Sequence, residues 1–131
     1  MNHITIAKMM KRKNKQVGGS HYEILSIEPV EAFIHYHLDW FQSEIIKYCS
    51  RFHNKNGKQD LDKAYQVSDL AMDFGLGQLE LFPFEGDEFL IQYCSQFKYE
   101  DIMKRLMIAV INHDYVIVKK SINELIEKYY E

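Results

Sequence analysis

The strongest constraint in this chain is a helical repeat that runs into a glycine turn. Phe41, Ile45, Tyr48, Cys49 and Phe52 recur at i, i+4, i+7, i+8 and i+11, the period at which an α-helix buries one stripe. Glu44, Lys47 and Arg51 make a second stripe. Lys55 and Lys58 would extend it at spacings of 4 and 3, and no acid stands between Lys47 and Lys58. Asn56-Gly57 interrupts the pattern, and Asp60 is placed to start and cap a new helix. Residues 44–63 therefore read as a cationic helix end, a turn and a capped second helix, a corner suited to phosphate. The same pattern also suits a solvated helix face followed by a helix–helix turn.

The remaining segments are predicted to be helical too. Glu28-Pro29 is a helix start with proline at the first helical position, and Val30, Phe33 and Ile34 supply an apolar face. Asp39 caps a helix over about 40–53. A third helix runs from Asp60 to the glycines Gly75 and Gly77, packing Leu61, Ala64, Tyr65, Ser68, Ala71 and Met72. Its other side carries Asp62, Asp69 and Asp73; Asp69 and Asp73 are one turn apart, as metal-binding carboxylates often are, and a solvated acidic face has the same look. Residues 76–87 connect, with Leu79, Leu81, Phe82 and Phe84 tucked on the core. Helices over 87–97, 99–112 and 114–130 complete the chain, the last capped by Asp114. The β-branched residues near 106–118 would also suit a strand, but Ile122, Leu125, Ile126 and Tyr129 keep helical spacing. The expected fold is all-α, a compact bundle of about five to six short helices. It carries a flexible basic arm at 1–17, a core at 18–76 and a helical extension at 77–131.

Composition removes several classes. With 131 residues, 47% of them hydrophobic, the chain is long enough for one core. No apolar run reaches the length of a membrane span. The basic run from Lys8 to Lys15 leads into Gln, Val, Gly, Gly and Ser, unlike a secretory leader. A soluble, cytoplasmic protein without a membrane partner is expected. Cys49 and Cys94 each lie in an apolar helical pattern and read as buried free thiols. His35 and His37 are two apart, which a helix points apart, against a zinc pair. Residues 1–58 carry nine basic and five acidic side chains, residues 59–131 seven and fourteen. The first half attracts phosphate. The second is a poor surface for duplex nucleic acid.

Gly18-Gly19-Ser20-His21-Tyr22 suits an anion nest or a plain flexible joint. It is not a Walker loop, and the chain has none. Residues 91–97, Ile-Gln-Tyr-Cys-Ser-Gln-Phe, echo residues 46–52, Ile-Lys-Tyr-Cys-Ser-Arg-Phe. The apolar frame repeats, with Gln92 and Gln96 in place of Lys47 and Arg51.

Five short pieces stand in a familiar order: His21-Tyr22, Pro29-Val30-Glu31, Lys47-Tyr48-Cys49-Ser50-Arg51, Lys55-Asn56-Gly57 and Asp60-Leu61-Asp62-Lys63-Ala64. With them residues 21–74 resemble a small phage-associated family often called SaV-like, whose best-known relatives are nucleotide kinases without a P-loop. That family commonly has Gly-Asn before the Ile-Lys-Tyr segment. This chain has Ser43-Glu44 there, and an acid would repel phosphate. Residues from about 76 onward are not covered.

The resemblance implies a (deoxy)nucleoside monophosphate kinase with a nucleoside triphosphate donor. Lys47, Arg51 and Asp60 would be catalytic. His21, Tyr22, Lys47, Tyr48, Arg51, Lys55, Lys58 and Lys63 would hold the nucleotide and its phosphates, and Asp60 and Asp62 would hold Mg²⁺. Such chemistry needs charge neutralisation and positioning more than covalent help. A non-catalytic nucleotide-sequestering or inhibitory protein would use the same cations. A MazG-like nucleotide pyrophosphohydrolase would use paired Glu-x-x-Glu and Glu-x-x-Asp motifs. Glu28-Pro-Val-Glu31 matches the first, and nothing downstream matches the second. An adaptor without nucleotide is the remaining reading. The sixth helix has apolar residues on more than one side, so a homo-oligomer is expected.

Overall fold

The computed structural model describes residues 25–78 and 83–130. The basic arm, the Gly18-Gly19 joint, His21 and Tyr22 lie outside them, as do Leu79, Leu81 and Phe82. The described chain is all-α, with six helices and no strand. They are α1 (Pro29–Tyr36), α2 (Trp40–Arg51), α3 (Lys58–Asp73), α4 (Glu88–Cys94), α5 (Glu100–Ile111) and α6 (Tyr115–Tyr130). Short 3₁₀ turns follow α2 at Phe52–Asn54 and α3 near Leu76.

Local chemistry starts and stops most of these helices. Pro29 opens α1, and the Glu28 N–H donates to Glu31 Oε2 at 2.6 Å, half of a capping box. Pro29, Glu31 and Ala32 are its deepest residues. The expected face of Val30, Phe33 and Ile34 is only half-buried, because this short helix lies along the edge of the bundle. It ends at His37 in the left-handed region, φ 52°. Asp39 caps α2 by accepting from the Gln42 N–H at 2.8 Å, and Gln42 Oε1 in turn accepts from the Asp39 N–H. Asp87 caps α4 through the Leu90 N–H, and Asp114 caps α6 through the Ile117 N–H. The β-branched residues near 106–118 form two helices, α5 and α6, that meet at His113 with φ 55°.

α3 is central: it packs on α2 along one side and on α6 along the other. α5 packs on α6 and also reaches α2, while α4 lies on α5 and α1 on α2. Ile45, Ile46, Leu61, Leu106, Met107 and Ile122 have no exposed surface and form the shared core. Burial of such side chains is the main stabilising term, at ~25 cal/mol per Å² of apolar surface. Two amides tie the periphery down. Gln96 accepts from the Ile27 N–H at 2.8 Å and donates to the Ile27 carbonyl at 3.0 Å, fixing the approach to α1. Asn112 does the same for Phe84, at 2.6 and 3.1 Å. The two echoing heptads meet in space, since Ser50 Oγ and the Tyr93 hydroxyl are 2.7 Å apart. They are not equivalent: Tyr93 is sealed in the core, whereas Tyr48 is half-buried.

Candidate functional site

The site begins where α2 ends. The helix stops at Arg51, a 3₁₀ turn carries Phe52–Asn54, and Lys55-Asn56-Gly57 reverses the chain into α3. Gly57 is the N-cap of α3 at φ 60°, a left-handed conformation that suits glycine. Asp60 is therefore not the cap expected from its position. It sits in the first helical turn, fully buried, and turns back to the chain reversal. Its Oδ2 accepts weakly from the Asn56 N–H at 3.4 Å and pairs with Arg51 Nε at 3.4 Å.

The cations do not form the single row that a continuing helix would have made. Lys55 and Lys58 are exposed in and after the turn. Lys63, from the second turn of α3, joins Lys47 and Arg51 instead. All three surround one ring: Lys47 Nζ lies 4.7 Å, Arg51 Cζ 4.9 Å and Lys63 Nζ 5.6 Å from the Tyr48 centroid. The attraction of cations to an aromatic face holds like charges together that would otherwise repel. Glu44 neutralises Lys47, whose Nζ donates to both carboxylate oxygens at 2.8 and 3.0 Å. Arg51 pairs with Asp60. Of these three, Lys63 is the one that forms no ion pair among the described residues, which leaves it open to an anion.

Asp60 and Asp62 are two apart on α3 and point to different sides, Asp60 into the core and Asp62 to solvent. Among the described residues no three His, Cys, Asp or Glu side chains come together as a metal site would need. With the Asp60 carboxylate held by Arg51 and Asn56, this pair does not fit a protein-held Mg²⁺. Asp69 is engaged with Lys119. Glu31 is fixed in the capping box at the start of α1. Cys49 lies near Asp60. Burial and that carboxylate push its thiol well above the usual range, so it is no nucleophile.

The C-terminal helix also reaches the corner, which neither spacing nor motif had indicated. A Cβ added at Gly57 would come 3.4 Å from the Tyr130 hydroxyl. Burial and the nearby Asp60 raise the Tyr130 phenol above its ordinary value. Tyr129 meets Phe52 edge-on at 4.9 Å. The only hint in the sequence was the aromatic pair at the end of an amphipathic helix. His53 lies in the turn, where desolvation lowers its imidazole below the usual value. His21 and Tyr22 are outside the described residues.

A family model described as a protein of unknown function, DUF3310, matches residues 13–69. The matched span takes in α1, α2, the turn and most of α3, and so Lys47, Arg51, Lys55, Lys58 and Lys63. No curated protein and no solved structure matches the chain.

Proposed function

We propose that the corner between α2 and α3 binds the phosphates of a nucleotide, and that the chain is a (deoxy)nucleoside monophosphate kinase. The observation that carries this reading is the convergence of Lys47, Arg51 and Lys63 on Tyr48 beside a glycine turn. The resemblance of residues 21–74 to SaV-like nucleotide kinases points the same way. In the reaction an oxygen of the monophosphate bonds to the γ-phosphorus of the donor. The bond from that phosphorus to the β,γ-bridging oxygen breaks, and a nucleoside diphosphate leaves. Charge accumulates on phosphoryl oxygens, which cations stabilise. Arg51 offers a planar fork and Lys63 a mobile point charge. Mg²⁺ enters as the counter-ion of the triphosphate substrate.

The test is incubation of a γ-labelled triphosphate with each deoxynucleoside monophosphate and Mg²⁺. Labelled diphosphate is expected, with Lys63→Ala lowering kcat/KM by about 10-fold or more, the loss typical of one charge-assisted contact. Absence of product from every monophosphate overturns the kinase reading.

A second reading, nucleotide binding without chemistry, is favoured by a specific feature. The carboxylates beside the cations, Glu44 and Asp60, are already paired with Lys47 and Arg51. Calorimetric binding together with an unchanged ligand by mass spectrometry would select it. Either reading accommodates a homo-oligomer. Trp40 and Phe74 are 57% and 70% exposed and both meet Phe41, and a contiguous exposed apolar patch marks an interaction surface. Light scattering that gives a monomer at micromolar concentration removes that part.

A further inference from the structure

Phosphate contacts alone leave the other half of a nucleotide without a seat. Tyr48 is a poor platform for a base, because three cations already approach its ring. The ring that touches the turn from the other side is Tyr130. It closes an aromatic series with Phe52 and Tyr129, at centroid distances of 6.2 and 6.1 Å, and yet remains 41% exposed. Its hydroxyl rests against Gly57, the neighbouring Asn56 N–H reaches Asp60, and Asp60 pairs with Arg51. A line of contacts thus joins an exposed aromatic ring to the Arg51 guanidinium.

Resting on the nucleotide reading, we propose that Tyr130 is the platform on which the nucleobase stacks, with the phosphates extending from it toward Arg51 and Lys63. Stacking needs an aromatic face that is held at its back and open at its front. Tyr130 is held by ring contacts with Phe52 and Tyr129 and keeps an exposed surface. Every base has a π-face, so this contact selects nucleotides over bare phosphates without choosing among bases. It also gives α6, which lies beyond the matched family span, a part in ligand recognition. The competing platform is Phe74 with Phe41, 5.9 Å apart. It stands at the far end of α3, eleven residues beyond Lys63, about 16 Å at 1.5 Å per residue.

Calorimetric titration of the full chain with the four deoxynucleoside monophosphates, and separately with inorganic pyrophosphate, tests the proposal. Tyr130→Ala is expected to weaken nucleotide binding by about 10- to 100-fold, the usual effect of removing one stacking ring, and to leave pyrophosphate binding unchanged. Tyr130→Phe and Phe74→Ala should bind both as the parent does. Because Trp40 is the single tryptophan, a Trp40→Phe, Tyr130→Trp double variant carries one reporter at the platform. Its fluorescence should be quenched saturably by the monophosphates and not by pyrophosphate. The proposal is overturned if Tyr130→Ala binds nucleotides normally, or if it loses pyrophosphate equally, which would make Tyr130 a support of the turn. In both cases the nucleotide reading survives as long as the parent chain binds nucleotides. A parent that binds neither probe overturns both.

Discussion

Arg51 has two duties that single substitutions can separate. It is a candidate phosphate ligand, and it is also the counter-charge of Asp60, which has no exposed surface. Arg51→Ala strands that carboxylate in the core and is expected to cost about 3–5 kcal/mol in urea unfolding. Lys63→Ala, at a half-buried surface position, should change stability by no more than ~0.5 kcal/mol. Lys63 is therefore the cleaner probe of ligand binding. A second residue-scale effect concerns Asp87. Burial pushes its carboxyl up. Hydrogen bonds from the Tyr36 hydroxyl, the Leu90 N–H and His35 outweigh burial and leave it below its usual value of 3.8. A depressed carboxyl stabilises the fold above its unfolded pKa and loses that contribution as pH falls through the lower folded value. Acid unfolding of the parent below about pH 3.8 should therefore be steeper than that of Asp87→Asn. The caps Asp39 and Asp114 were legible because capping is local chemistry. The pairing of Asp60 was not, because whether an acid near a helix start caps it or turns inward depends on what packs beneath it.

At the scale of elements, the helices of residues 40–73 were legible from period and punctuation: α2 carried its stripe and Gly57 broke it. The content of the site was less legible. A continuing helix would have aligned Lys55 and Lys58 with Arg51, but the chain turns first, and the third cation at Tyr48 comes from Lys63 on the returning helix. Side chains on two antiparallel helices meet by packing, which one-dimensional spacing does not encode. Gln96 is another such case. In the echoed heptad it looked like a neutral replacement of Arg51, yet it holds Ile27 by both backbone groups. Gln96→Ala should destabilise by about 1 kcal/mol, as expected when half-buried backbone groups lose their side-chain partner. Hydrogen exchange should show the faster opening concentrated at the start of α1, while α3 keeps its protection.

For the molecule as a whole, α3 is the shared wall: it meets α2 at the cations and α6 near Tyr130 and Lys119. α2, α3 and the last helix thus meet at one corner, although only residues 13–69 match a family model. The two cysteines give this arrangement a built-in clock. Cys49 in α2 and Cys94 in α4 are both free and fully buried, and burial pushes the Cys94 thiol up to about 12. A thiol reagent can reach either one only when the surrounding helix lifts away, so the rate of modification counts openings. α4 has seven residues and leans mainly on α5, whereas α2 is clamped by α1, α3 and α5. Timed alkylation followed by peptide mass mapping should therefore mark Cys94 before Cys49. Equal rates would instead mean that the six helices come apart as one cooperative unit.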